Sequence, residues 1–170
     1  MQFARASILL TLAAMVSAAT VADVKADIAK IDSSVTSLQS ALASNSLNYF
    51  SALAIHQQAV NLDSAVKSAT TDANSVTGVT DADAQDFIST LTGTEVKVSA
   101  VCDRLVALKP QFTSLGVAGI AKGDITSLSA SVNTFGQALV SKAPAAEQAD
   151  AQALAAKFNA DLARAAAAYA

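Results

Sequence analysis

The sequence predicts an all-α protein, a five-helix bundle with room inside for an elongated apolar cavity. Three observations carry this. Apolar residues recur in steps of three and four along five separate segments, the spacing of one helix face. No segment carries the period-two alternation of a strand. And 52% of the residues are hydrophobic while only 15% are charged, so each helix has one side that must be covered.

The first eighteen residues stand outside the fold. Arg5 makes a short basic start, residues 7–16 are apolar but too few to span a bilayer, and Val16, Ser17 and Ala18 offer small side chains for a cut before Ala19. That order is a secretory signal peptide. The expected product is one helical-bundle domain over residues 19–170, secreted and extracellular, with no transmembrane segment. The closing AAAAYA is too short for a lipid-anchor signal. Loss of Arg5 leaves ten basic against fourteen acidic residues, which argues against a nucleic-acid partner. Cys102 stands alone, so no disulfide framework forms within the chain and packing must supply the stability. There is no N-glycosylation sequon.

Thr20, with Asp23 three residues on, caps the first helix. Val21, Val24, Ile28, Ile31, Val35, Leu38 and Leu42 form its seam. Residues 43–45 break the pattern and Ser46 recaps it. Over residues 46–71 the main apolar face reads Leu47, Phe50, Ala54, Ile55, Leu62, Ala65, Val66 and Ala69. A second patch of Tyr49, Leu53 and Val60 lies on the far side. A helix apolar on two sides expects two neighbours, which makes this one central.

Thr80 and Asp83 cap the third helix, whose stripe is Phe87, Leu91, Thr94, Val98, Val101, Leu105 and Leu108, widened by Ile88 and Cys102. Gly93 weakens it by about 1 kcal/mol relative to alanine and suggests a close approach or a kink. Pro110 is expected to end it near Leu108 or Lys109. Residues 111–124 are apolar, through Phe112, Leu115, Val117 and Ile120, but hold three glycines and read poorly as helix. From Asp124 the stripe resumes as Ile125, Leu128, Val132, Phe135 and Leu139. Pro144 suits the first turn of a last helix with Leu154, Phe158, Leu162, Ala165 and Tyr169 inward. Each of the last four helices thus contributes one inward phenylalanine, Phe50, Phe87, Phe135 and Phe158.

Catalytic chemistry finds no footing. One histidine and one cysteine give no metal-ligand spacing, and no phosphate loop or nucleophile elbow occurs. His56 projects opposite the main face of its helix and reads as a surface or helix-interface residue. Cys102 reads as a small hydrophobe beside the core, with an intermolecular disulfide as its alternative. A Cys102–His56 nucleophile pair lacks an orienting third group. No cofactor and no metal are expected, and the chain reads as a non-enzyme.

The ordered runs ALAIHQQAVNLDSAVKSATTDANSV, TDADAQDFISTL, RLVALKPQFTSLGVAGIAKGDITSL and ALVSKAP resemble the fungal hydrophobic surface-binding protein A family, which includes the antigenic cell-wall galactomannoproteins. The similarity covers roughly residues 21–170. None of these runs is a catalytic motif; their order carries the resemblance. It implies a secreted fungal protein that adsorbs to hydrophobic surfaces and recruits a polyester- or wax-degrading hydrolase to them. For the mannoprotein branch it implies an all-helical domain enclosing a fatty acid. The chain departs from that branch in lacking a long Ser/Thr-rich stalk, a second copy of the domain and an anchor tail, so release is expected over wall attachment.

Two functional readings follow. In the first, the bundle holds a fatty acid or similar lipid, lined by Ile28, Ile31, Val35, Phe50, Ala54, Leu62, Phe87, Leu91, Val98, Leu128, Val132, Phe135, Phe158 and Leu162. Ser51 and Gln58 are the candidates for hydrogen bonds to its head group. Burying about fourteen methylenes at roughly 0.8 kcal/mol each yields on the order of 11 kcal/mol, against association costs of roughly 4–15 kcal/mol. In the second, there is no lipid cavity; Leu115, Val117 and Ile120 adsorb to a solid hydrophobic surface and a secreted hydrolase follows.

Overall fold

A computed structural model describes residues 18–170; the signal-peptide expectation, residues 1–18, lies outside the described part but for its last residue. Five helices form: α1 (Val21–Ala41), α2 (Tyr49–Ser75), α3 (Asp81–Ser114), α4 (Ala118–Lys142) and α5 (Gln148–Ala168). No strand occurs among the described residues. None of the helices is long and apolar enough to cross a membrane.

Reciprocal capping starts three of them. At α1, Asp23 N donates to Thr20 Oγ1 at 3.2 Å while Thr20 N donates to Asp23 Oδ2 at 2.8 Å. Thr80 and Asp83 repeat the box at α3. At α2 the box is Asn48 with Ser51, so the cap is two residues later than Ser46. Each box satisfies donors that a helix start leaves unpaired.

The third helix does not stop at Pro110 but runs through it to Ser114. A proline inside a helix costs roughly 3 kcal/mol through one lost bond and a clash. Tertiary contacts offset that here. Leu108 and Phe112, either side of Pro110, are 1% and 2% exposed. Gln111 accepts from Leu47 N at 2.8 Å and donates to Asn45 O at 2.9 Å, and Lys109 Nζ donates to Ala168 O. The actual stop is Gly116, in the left-handed region at φ 74°. Val117 N reaches Phe112 O at 2.9 Å and Gly116 N reaches Thr113 O at 3.0 Å, a Schellman ending. The chain turns at once into α4, so residues 118–123 are helical despite their glycines. Pro144 lies in the turn before α5 rather than in its first turn. Nothing lies within 4 Å of a Cβ built on Gly93, so that glycine marks no close approach.

The helices close a ring in the order α1, α2, α4, α5, α3 and back to α1, each packed mainly on two neighbours, with a lighter contact between α3 and α4 across it. Side-chain bonds give the directions. Asp32 pairs with Lys97 and Lys25 with Asp83, so α1 and α3 run parallel. His56 with Asp124 and Asp63 with Ser131 make α2 and α4 parallel, and Gln85 with Glu147 and Ser99 with Asp161 do so for α3 and α5. Ala19 N on Ser75 Oγ and Asn159 on Asn133 mark the antiparallel pairs α1–α2 and α4–α5. The hydrophobic core draws on all five helices.

Candidate functional site

A closed ring of five helices leaves an axis that side chains must fill. They do so incompletely, and a cavity of about 100 Å³ remains. Its wall is almost wholly apolar. α1 contributes Ile31, Val35 and Leu38; α2 contributes Leu62 and Val66; α5 contributes Leu154, Phe158 and Leu162. The longest wall is α3, from Ala84 through Phe87, Leu91, Thr94, Val98 and Cys102 to Leu105, and α4 faces it with Ile125, Leu128, Val132, Phe135 and Leu139. At 1.5 Å per residue the α3 stretch runs roughly 30 Å, so the cavity is long and narrow. A dry cavity of about 150 Å³ admits benzene. Seating anything longer requires wall side chains to move outward. Phe158, Val98, Val132 and Leu139, only partly buried, are placed to do so.

Eleven of the fourteen lining candidates therefore meet on one cavity: Ile31, Val35, Leu62, Phe87, Leu91, Val98, Leu128, Val132, Phe135, Phe158 and Leu162. Three do not. Ile28 is buried in the core but off the cavity wall, and Phe50 and Ala54 are exposed. The inward face of α2 is Ala52, Ile55, Ala59, Leu62, Ala65, Val66, Ala69 and Ala73, turned away from the aromatic pair. Only three of the four inward phenylalanines thus point in. The head-group candidates also fall elsewhere. Ser51 is spent in the α2 capping box, and Gln58 does not reach the cavity wall.

A second cavity, about 30 Å³, lies toward the N-terminal ends of α2 and α4. Leu38, Leu105, Ile125 and Leu128 line both, and so form the partition between them. Its outer wall includes Leu53, Ile120, His56 and Asp124. His56 Nδ1 lies 3.0 Å from each carboxylate oxygen of Asp124, which ties α2 to α4 at this end. Burial pushes the Asp124 carboxyl up, against the pull of His56.

Cys102 and His56 are not brought together, because α2 and α3 are not neighbours in the ring. Burial pushes the Cys102 thiol up to about 12, so it stays protonated, and at 1% exposed it is closed to an intermolecular disulfide. Among the described residues no group of acidic, histidine or cysteine side chains is arranged to hold a metal ion.

The surface-adsorption candidates divide. Val117 is buried under the Schellman turn, Leu115 is half-buried, and Ile120 is exposed. Exposed apolar side chains gather instead where α2 begins. Tyr49 and Phe50 stack edge to face, and Leu53, one turn on, joins Ile120 on the wall of the smaller cavity. Their exposures are 52%, 81%, 36% and 40%.

The family model described as hydrophobic surface binding protein A matches residues 21–141. Among solved structures, AFMP4P in complex with palmitic acid superposes with a TM-score of 0.84 at 23% identity, over 88% of this chain and 99% of that one. Ligand-binding domain 1 of the Penicillium marneffei MP1 protein, complexed with arachidonic acids, follows at 0.81 and 15% identity, over 88% and 99%. Domain 2 of that protein, complexed with multiple arachidonic acids, reaches 0.70 at 10% identity, over 88% and 91%. No curated protein matches the chain.

Proposed function

Because the chain belongs to the hydrophobic surface binding protein A family, we propose that it is a non-catalytic binder of apolar chains, taking a fatty acid or similar lipid into the ring of five helices. One observation carries the reading: a long interior cavity to which all five helices give apolar side chains. The three similar solved structures, complexes with palmitic or arachidonic acids, share this fold and support the reading. The protein acts outside the cell, as the signal-like order of residues 1–18 implies. Native mass spectrometry of the secreted protein tests the reading. A bound lipid, or uptake of added palmitic acid, is expected; neither would sink it.

The Tyr49, Phe50, Leu53 and Ile120 patch favours a second, compatible reading, adsorption to a hydrophobic surface through the start of α2. Recruitment of a secreted hydrolase would then depend on that adsorbed state.

A further inference from the structure

Given the lipid-binding reading, on which this rests, we infer that Lys142 holds the anionic head group of the bound chain at the end of the cavity formed by the close of α4. The cavity wall offers a head group few partners. Apart from main chain, its polar side chains are Thr94, Cys102 and Lys142. The Thr94 hydroxyl is already committed, 2.9 Å from Asp32 Oδ1 and 3.2 Å from Thr90 O. Cys102 is a buried thiol, a weak donor without charge. Lys142 remains.

Its position fits the task. Leu128, Val132, Phe135, Leu139 and Lys142 follow one another in steps of four and three, so the lysine continues the apolar stripe of α4 at the helix's last residue. Its methylene stem can therefore extend the wall while its ammonium stays at the rim, the division of a long cationic side chain at an apolar boundary. Val76, Val79, Ala143 and Ala151 complete that end. The Lys142 ammonium makes no hydrogen bond or ion pair among the described residues; Lys30, Lys122 and Lys157 are likewise unpaired there, but Lys142 is the one lysine on the cavity wall. Glu147, five residues on in the chain, is buried and accepts from Gln85 Nε2 at 2.8 Å, without an ion pair to Lys142. A chain lying along the axis with its carboxylate at this rim would gain a charge-assisted bond from a lysine that has nothing else to hold.

The test compares palmitic acid with palmityl alcohol at neutral pH, by fluorescent-probe displacement on the full secreted chain. The unmodified protein should favour the acid by roughly tenfold, the scale of one charge-assisted contact. Lys142→Met keeps the stem and should bind both alike, with alcohol affinity unchanged, and Lys142→Arg should restore the preference. An acid preference that survives in Lys142→Met, or its absence from the unmodified protein, would overturn the inference while leaving lipid binding intact. Failure of both ligands to bind would overturn the lipid reading and this inference with it.

Discussion

A Cβ placed on Gly136 would stand 3.2 Å from the Cβ of Ala155, so α4 and α5 meet here across a glycine and an alanine. Both residues also line the cavity. The missing side chain lets the ring close tightly at one seam while its interior stays open. Gly136→Ala sets two effects against each other. Alanine is worth about 1 kcal/mol more than glycine inside a helix, but the Ala155 methyl sits on backbone and must give by a few tenths of an ångström. Near-zero change in stability is expected. Gly136→Val adds a branched side chain with no room and should cost about 1–3 kcal/mol, read from denaturant midpoints.

Leu128 separates the two cavities and is buried. Leu128→Ala should join them, at the low end of the roughly 2–5 kcal/mol usual for such a truncation, because part of its surroundings is already empty. A profile of affinity across lauric, palmitic and arachidic acids should then shift toward the longest. Leu128→Trp fills the partition and should shift the profile toward the shortest. An unchanged profile in both folded variants would show that the partition does not set chain length.

The fold class and the cavity wall were legible for a shared reason. Leu, Ile, Val and Phe at helical spacing on α1, α3, α4 and α5 announce both burial and direction, and those residues form the wall. The second helix misled because its buried face is mostly alanine, Ala52, Ala59, Ala65, Ala69 and Ala73. Alanine carries little hydrophobic weight, so Phe50 dominated the reading although it faces solvent. Pro110 misled because local sterics forbid what Gln111, Lys109 and two buried side chains together enforce. The ring order rests on pairs some sixty residues apart, such as Asp32 with Lys97 and His56 with Asp124, which no local pattern announces. Lys142 did leave a signal, a charge three residues beyond Leu139 on the same stripe. Ser51 and Gln58 on α2 give a stronger local polar signal, yet neither lines the cavity.

Asp27 carries a buried oxygen, Oδ2, with no hydrogen-bond partner among the described residues. Burial, and then repulsion from Asp72, raise its carboxyl above the ordinary 3.8. An acid whose folded pKa is raised binds more protons in the folded state between the two values, so its contribution to stability falls as pH rises through that window. Above the window the loss is complete; below 3.8 it vanishes. A proton on Asp27 also makes it a donor toward Asp72. Asp27→Asn should therefore stabilise the protein at neutral pH by about 0.5–1 kcal/mol, the scale of partly exposed charge pairs. The gain should shrink toward zero as melts are repeated down to pH ~3.5. A gain of equal size at every pH would assign the effect to packing rather than charge.

Phe50 and Leu53 face solvent one turn apart, where an apolar surface would meet them without any change in the ring. Covering a side chain of this kind fully is worth about 1.5–3 kcal/mol, and a flat surface covers only part of it. Replacing both with serine should then lower affinity for polystyrene beads by roughly tenfold to a hundredfold. Folding and palmitic acid binding should persist, because neither residue lines the larger cavity. Val96→Ser is the control, since Val96 is 64% exposed on α3 and outside this patch. Its loss should not change adsorption. Equal losses in both variants would mean that adsorption follows total exposed apolar area, and no loss in either would mean that the ring must open before a surface is held.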